Sequence, residues 1–180
     1  MNSHPTPKVS ILLPVRNGAA TIEETLESLK SQTLEDFELV LVNDASTDNT
    51  VEIARRCFAN DSRLKVLDTE DSPGLVPALM LGLHACQADL VARMDGDDIA
   101  LPERLELQYE LLSRDESISI VSCQVESFAD GELGGGYKHY DAWLETLLVH
   151  EDFMRERFVE SPLSHPTVMF RKQDILGLGG

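Results

Sequence analysis

The sequence predicts an α/β protein with a mostly parallel sheet and helices on both faces. Two observations predict it. Short apolar runs alternate with stripes of helical spacing from residue 9 to about residue 125, and such units close right-handedly into a parallel sheet. The apolar runs are also hydrophobic on both faces, as strands covered above and below must be. A chain of 180 residues is long enough to bury about 70% of the surface its unfolded form exposes.

Residues 9–13, Val-Ser-Ile-Leu-Leu, form the first strand, closed by Pro14, which has no amide to donate. Thr21 and Glu24 have capping-box spacing, and Ile22, Leu26 and Leu29 line one face of the following helix. Residues 37–42 are the second strand. A polar turn over 43–50 leads into a helix marked by Val51, Ala54 and Phe58. Residues 64–67 are the third strand, and Val76, Leu79, Met80 and Leu83 form the inner stripe of the third helix. Residues 90–94 are the fourth strand. Pro102 then opens a helix that turns Leu105, Tyr109 and Leu112 inward, and residues 118–125 are the fifth strand. Beyond residue 126 the pattern changes. The glycine-rich stretch 131–136 reads as a loop. Residues 143–158 read as one helix anchored by Trp143, Leu147 and Met154, and residues 167–170 as a further strand after a loop bracketed by Pro162 and Pro166.

The formal net charge is -17, from 32 acidic and 15 basic residues. A surface of that sign repels a phosphate backbone and excludes nucleic acid as a partner. The three cysteines, Cys57, Cys86 and Cys123, have no metal-knuckle or redox spacing. They are expected to be small core residues in a reducing compartment. Residues 1–8 lack the apolar run of a secretory leader, and no stretch approaches the ~20 apolar residues of a membrane span. The expected location is cytoplasmic, with peripheral attachment at the inner face of the cell membrane left open.

Three polar clusters fall at predicted strand ends, where ligands bind in sheets of this type. The first is Arg93-Met94-Asp95-Gly96-Asp97-Asp98. Three carboxylates in four residues repel one another unless a cation or hydrogen-bond donors compensate them. Gly96 is expected to supply a sharp turn, and hard divalent ions take such oxygen ligands together with substrate phosphates. The competing reading is an acidic turn in which Asp97 or Asp98 caps the next helix. The second cluster is Asn43-Asp44-Ala45-Ser46-Thr47-Asp48. There Asp44 is placed to meet a nucleobase or ribose, while Asp48 reads as a helix cap. The third is Pro14-Val15-Arg16-Asn17-Gly18, with Gly18 expected to make a tight turn and Arg16 free to meet base or phosphate.

In that order and spacing, these clusters resemble family 2 glycosyltransferases of the GT-A fold, a Rossmann-like nucleotide-diphospho-sugar transferase architecture. Further matching segments are Gly74-Leu75 with Ala78-Leu79 and Gly82, Pro102-Glu103-Arg104-Leu105 with Gln108, and Ser164 to Arg171 around His165-Pro166-Thr167. The resemblance covers residues 8–180 and points to the bacterial branch that builds cell-surface polysaccharide or lipopolysaccharide. It implies one GT-A domain over 1–180, with a nucleotide-binding core over 8–125 and an acceptor-side region over 126–180 that is cut at its C-terminus. It implies a nucleotide-sugar donor, most often UDP-linked, a saccharide or lipid-linked acceptor, inversion at the transferred carbon, and Mn2+ or Mg2+ as cofactor. Pro14, Val15, Arg16, Asn17 and Asp44 match positions at the nucleotide, with Asp44 accepting from the base ring. Asp97 matches the direct metal ligand, and Asp95 the partner that faces the ribose or the metal's water shell. Arg93, Gly96, Asp98 and His165 match positions near the sugar or behind the metal.

Two departures from the family pattern stand out. Met80 occupies a position where many relatives carry Asn, and is expected to pack. Relatives also continue past the Gly-Gly at 179–180 to a Glu-Asp pair that supplies the general base, so that group is expected beyond Gly180. Glu151-Asp152 is similar in letters but precedes His165 and reads as an exposed helix start. His4, His84, His139 and His150 are scattered and need no role. Two other functions compete. A sugar nucleotidyltransferase would want a glycine-rich phosphate loop after the first strand, which Pro14 to Gly18 does not provide. A nucleotide-sugar-binding module without transfer activity stays open.

Overall fold

The computed structural model describes residues 6–69, 73–129 and 131–179; His4 and Gly180 lie outside them. Strands Val9–Val15 (β1), Phe37–Asn43 (β2), Leu64–Asp68 (β3) and Leu90–Arg93 (β4) run parallel, with β1 central between β2 and β4. Met169–Arg171 (β6) pairs antiparallel with β4, and Ile120–Val121 (β5) pairs antiparallel with β6. The sheet order is β3-β2-β1-β4-β6-β5. The fifth strand is thus shorter than its apolar run, because its one partner, β6, offers three residues.

Pro14 lies inside β1 instead of closing it. Leu12 accepts the Met94 amide on the β4 side (3.0 Å), and Val15 accepts the Asp44 amide on the β2 side (2.8 Å). Alternation along the strand turns the missing donor of Pro14 toward β4, where the ladder stops at Leu12 and Arg93. On the β2 side pairing continues to Val15 and Asn43. The proline ends one ladder and spares the other.

Helices cover both faces. Ile22–Lys30 (α1), Thr50–Cys57 (α2) and Arg104–Arg114 (α4) pack on one face, where Ile22, Leu26, Leu29, Ala54, Leu105 and Leu112 meet Val9, Ile11, Leu13, Leu39 and Leu41. Leu75–Ala85 (α3) lies on the other face, where Ala78 and Leu83 meet Leu12, Val40, Val42 and Val91. Lys172–Gly177 (α7), not evident in the sequence, joins that face through Ile175 and Leu176. Its Lys172 Nζ donates to the Cys86 carbonyl (2.6 Å).

Helix α3 turns its smallest residues, Ala78 and Gly82, to the sheet, and this rotates Val76 outward to 68% exposure, against the predicted stripe. Met80 packs against the core as expected. A β-carbon on Gly82 would overlap Leu12 and stand 2.8 Å from Val42 Cγ2. The N-terminus of α1 also differs from expectation: Thr21 precedes the helix without a side-chain cap, because its hydroxyl goes elsewhere, as described below.

The stretch predicted as one helix is two. Gly135–Leu144 (α5) begins inside the presumed glycine loop, and His150–Glu156 (α6) follows. Thr146 Oγ1 donates to the Trp143 carbonyl (2.7 Å) and closes α5, while Asp152 accepts the Leu148 and Val149 amides (3.2 Å each) and starts α6. Glu151-Asp152 is therefore a helix start, and Met154 is exposed instead of anchoring. Tyr140 and Trp143 stack with ring centroids 5.7 Å apart. Of the cysteines, Cys86 alone is buried, its thiol pushed up to about 12 by desolvation, while Cys57 is half-buried and Cys123 exposed.

The contact between α3 and β1 supplies a test. Gly82→Val should destabilise the protein by about 1–3 kcal/mol through overpacking, read as a lower urea midpoint with an unchanged slope; an unaltered midpoint would show that α3 can retreat from the sheet at no cost.

Candidate functional site

The three polar clusters meet at the carboxyl ends of β2, β1 and β4, which are neighbours in the sheet. At about 4.8 Å per strand, Asp44 and the acidic turn sit about 10 Å apart, with Val15 to Gly18 between them.

The loop after β1 is bonded to both its neighbours. Toward the β2 side, the Asn17 amide donates to Ser46 Oγ (3.0 Å) and Asn17 Oδ1 accepts the Thr47 amide (2.8 Å). The Gly18 amide donates to Thr50 Oγ1 (2.8 Å) and the Ala19 amide to Asp48 Oδ2 (3.1 Å). Asp48 Oδ1 also accepts the Thr50 amide (3.1 Å), so it joins two loops at the start of α2; the N-cap position itself is Asn49, one residue beyond the predicted cap, and makes no side-chain cap bond. A hydrogen bond from the Thr50 hydroxyl holds the Asp48 pKa below the usual carboxylate value, against a small opposing effect of desolvation. Toward the β4 side, Thr21 Oγ1 donates to the Gly96 carbonyl (2.7 Å), which is where the predicted capping group has gone.

The left-handed residues of these loops are Asn17 (φ 52°) and Ala45 (φ 54°), not Gly18 or Gly96. Both glycines are needed for space instead. A β-carbon on Gly18 would lie 2.7 Å from Val15 Cγ2, and one on Gly96 would lie 3.0 Å from the same atom.

Asp44 is buried at 6% exposure. Its Oδ1 accepts the Thr69 hydroxyl (2.9 Å) and the Gly74 amide (2.7 Å). Its Oδ2 has no hydrogen-bond partner among the described residues. Gly74 takes φ +144° just before α3, a conformation that L side chains rarely adopt. Asn43 is turned aside, donating to Asp68 Oδ1 (2.7 Å). Arg16 is exposed.

In the acidic turn, Arg93 is 8% exposed and forks onto Asp95 with Nη1–Oδ2 at 2.9 Å and Nη2–Oδ1 at 2.8 Å. One carboxylate oxygen from each of Asp95, Asp97 and Asp98 lies within 4.8 Å of the others. Asp97 is exposed and Asp98 half-buried. Burial first, then the neighbouring Asp95 and Asp97 charges, raise the Asp98 pKa above the usual carboxylate value; Arg104 and Arg93 oppose this. The cluster fits a hard divalent cation in donor type and spacing. Asp95 is held by the arginine on both oxygens, so Asp97 is the freest ligand.

His165 opens a short 3₁₀ helix, His165–Thr167, and is exposed. Because β6 runs antiparallel to β4, and the Arg93 amide bonds the Val168 carbonyl (2.9 Å), this turn lies past the same end of β4 as the acidic turn. The structure thus brings every predicted residue to one edge. Sequence reasoning missed Thr69 as a partner of Asp44 and Thr21 as the tie to Gly96; neither carries a local pattern that points to its distant partner. A cavity of 660 Å³ near Val121, Leu147, Phe153 and Leu163 lies at the β5 edge, apart from the carboxylates. Among the described residues, no helix is long and apolar enough to cross a membrane.

A sheet of this order and mixture, with helices on both faces, is the GT-A fold of glycosyltransferases. The mannosyltransferase PcManGT of Pyrobaculum calidifontis, solved with GDP-Man and Mn2+, superposes with a TM-score of 0.71 at 22% identity, covering 97% of this chain and 47% of that one. Residues 10–177 match Glycosyl transferase family 2, and the chain belongs to that family. The amylovoran biosynthesis glycosyltransferase AmsE of Erwinia amylovora is 33% identical over 159 residues, 88% of this chain and 57% of that protein. The Escherichia coli UDP-Gal:alpha-D-GlcNAc-diphosphoundecaprenol beta-1,3-galactosyltransferase is 27% identical over 180 residues, 99% of this chain and 63% of that protein. The chain spans a little over half the length of these two relatives.

The raised pKa of Asp98 has a measurable consequence. With its folded value above its unfolded one, the folded state binds more protons across that window, so ionising Asp98 costs stability that returns as pH falls through it. Asp98→Asn should therefore raise the melting temperature near neutral pH, and the gain should shrink toward the ordinary carboxylate range. A gain that stays constant with pH would show that its charge is not the cause.

Proposed function

We propose that this chain forms the donor-binding part of a glycosyltransferase that moves a sugar from a nucleoside-diphosphate sugar, UDP-linked by preference, to a saccharide or lipid-linked acceptor. The observation that carries this reading is the adjacency of a buried carboxylate, Asp44, with one oxygen unpartnered among the described residues, and a cation-competent cluster, Asp95 to Asp98, about 10 Å apart across three strand ends. That span suits a nucleoside whose base lies at one end and whose diphosphate lies at the other. The named ligands and activities of the relatives, a UDP-linked sugar, a diphosphoundecaprenol acceptor and a Mn2+ complex, support it.

In this reading Asp44 Oδ2 accepts a hydrogen bond from the base ring, and Pro14, Val15, Arg16 and Asn17 line the base and its phosphate side. Asp97 would ligate Mn2+ or Mg2+. Asp95, pinned by Arg93, faces the ribose or the water shell of the ion. Gly96 keeps the turn close to β1, and Asp98 and His165 border the sugar. The ion, when bound, neutralises charge on the departing diphosphate. The acceptor hydroxyl oxygen attacks the anomeric carbon as the bond to the diphosphate oxygen breaks, with inversion, and the hydroxyl proton passes to a base or to solvent. No general base is assigned among the described residues. We assign residues 8–125 to the donor side and 126–180 to the acceptor side, with a lipid-linked acceptor presented at the cytoplasmic face of the membrane.

A thermal-shift titration with uridine, guanosine, cytidine and thymidine diphosphates, each with and without Mn2+, tests this on the wild type and Asp97→Asn. One nucleotide at ~100 times its dissociation constant should add about 2.7 kcal/mol of stability. The shift should need the metal and vanish in the variant. Shifts of equal size in the variant would remove Asp97 as the ligand, and no shift with any nucleotide would overturn the donor site.

A further inference from the structure

Between the acidic turn and the His165 turn lies a run of buried polar side chains that the reading above does not use. Arg104, the first residue of α4, donates Nη2 to the Arg93 carbonyl (2.7 Å), Nη1 to the Met94 sulfur (3.1 Å) and Nε to Gln108 Oε1 (3.4 Å). Gln108, one helical turn on and 5% exposed, donates Nε2 to the Thr167 carbonyl (2.7 Å). Thr167 closes its own turn: its amide and hydroxyl both donate to the Ser164 carbonyl (3.0 and 2.6 Å). The pairing of β4 with β6 stops at Ala92 and Met169, with one further bond from Arg93 to Val168. Past that bond the two segments are joined through α4.

We propose that Arg104 and Gln108 are positioning residues that hold the metal-binding carboxylates and the His165 turn at a set separation, so that a bound donor faces the acceptor side in register. This rests on the nucleotide-site reading above. A glutamine suits the middle of the chain because it accepts from a guanidinium with one atom and donates to a carbonyl with the other. Glutamate keeps only the first bond, and leucine keeps neither.

The test compares wild type, Gln108→Glu and Gln108→Leu by two measurements: amide hydrogen exchange, and calorimetry of UDP binding in the presence of Mn2+. Gln108→Glu removes the bond to the Thr167 carbonyl and leaves the Thr167 amide on Ser164. With the turn no longer braced it should open more often, so that amide should exchange about tenfold faster while UDP affinity stays within about threefold of wild type. Gln108→Leu should speed the same amide and also weaken UDP binding by about tenfold. Exchange at Val40, in the sheet centre, should not change. Thr167 exchange at the wild-type rate in both variants overturns the proposal. So does a rise shared equally by Val40, which would mark a general loss of stability, or UDP binding by the leucine variant that equals wild type. Failure of the wild type to bind uridine, guanosine, cytidine or thymidine diphosphate with Mn2+ overturns the functional reading and this role with it; binding by the wild type with unaltered variants overturns this role alone.

Discussion

The site is organised by one close contact: the side chain of Val15 occupies the space that β-carbons on Gly18 and Gly96 would need. Because both are absent, the loop after β1 folds down against the strand end and the acidic turn folds in from the other side. The hydrogen bonds that lock the edge follow from that proximity. Asn17, Gly18 and Ala19 reach the loop after β2, and Thr21 reaches Gly96. A side chain at Gly18 would force Val15 or the loop to shift, and one at Gly96 would need Val15 to give by a few tenths of an ångström. The central position of β1 makes this loop the common support of the whole edge.

Electrostatics is the second constraint. Three carboxylates crowd the end of β4 in a chain that already carries a net charge of -17. Distant charge does not compensate them, since exposed charges beyond ~10 Å are screened. Compensation comes from beneath, where Arg93 grips Asp95 and Arg104 is bound to the Arg93 carbonyl. Arg93 is itself buried, and a buried guanidinium without its carboxylate is costly. Asp95 is therefore as much a structural counter-ion as a ligand candidate, which leaves Asp97 outward and unclaimed. The Asp98 pKa is raised above the usual carboxylate value by burial first and by the charges of Asp95 and Asp97 second.

The later part of the chain is not an appendage to the strand–helix core. It returns as β6 between β4 and β5 and so pairs with the strand that carries the acidic turn. The same strand thus ends in the acidic turn and flanks the turn that carries His165. The chain covers 57% and 63% of the two relatives compared, so other parts of those proteins lie outside the matched region.

The local apolar patterns were enough to predict the parallel core, because β1, β2 and β4 are buried on their own runs of Val, Leu and Ile, the half-exposed β3 still shows its short apolar run, and the following helices show most of their inner stripes. The clusters at Pro14 to Asn17, Asp44 and Asp95 to Asp98 stood out for the same reason, as polar groups at the ends of apolar strands. Errors arose wherever the outcome depended on a distant partner. Pro14 does not end β1, because its missing donor faces the ladder that stops there. Thr21 does not cap α1, because Gly96 lies within its reach. The predicted fifth strand shrinks to Ile120–Val121, because β6 supplies so few residues, and 143–158 divides where Thr146 and Asp152 satisfy new helix ends. The sequence by itself determined the strand–helix alternation of the parallel core and the three polar clusters at its strand ends, since burial periodicity and charge crowding are local. The order of the strands, the mutual bonding of the three loops and the brace through Arg104 and Gln108 were decided only in the tertiary structure, because each joins residues that no short-range pattern relates.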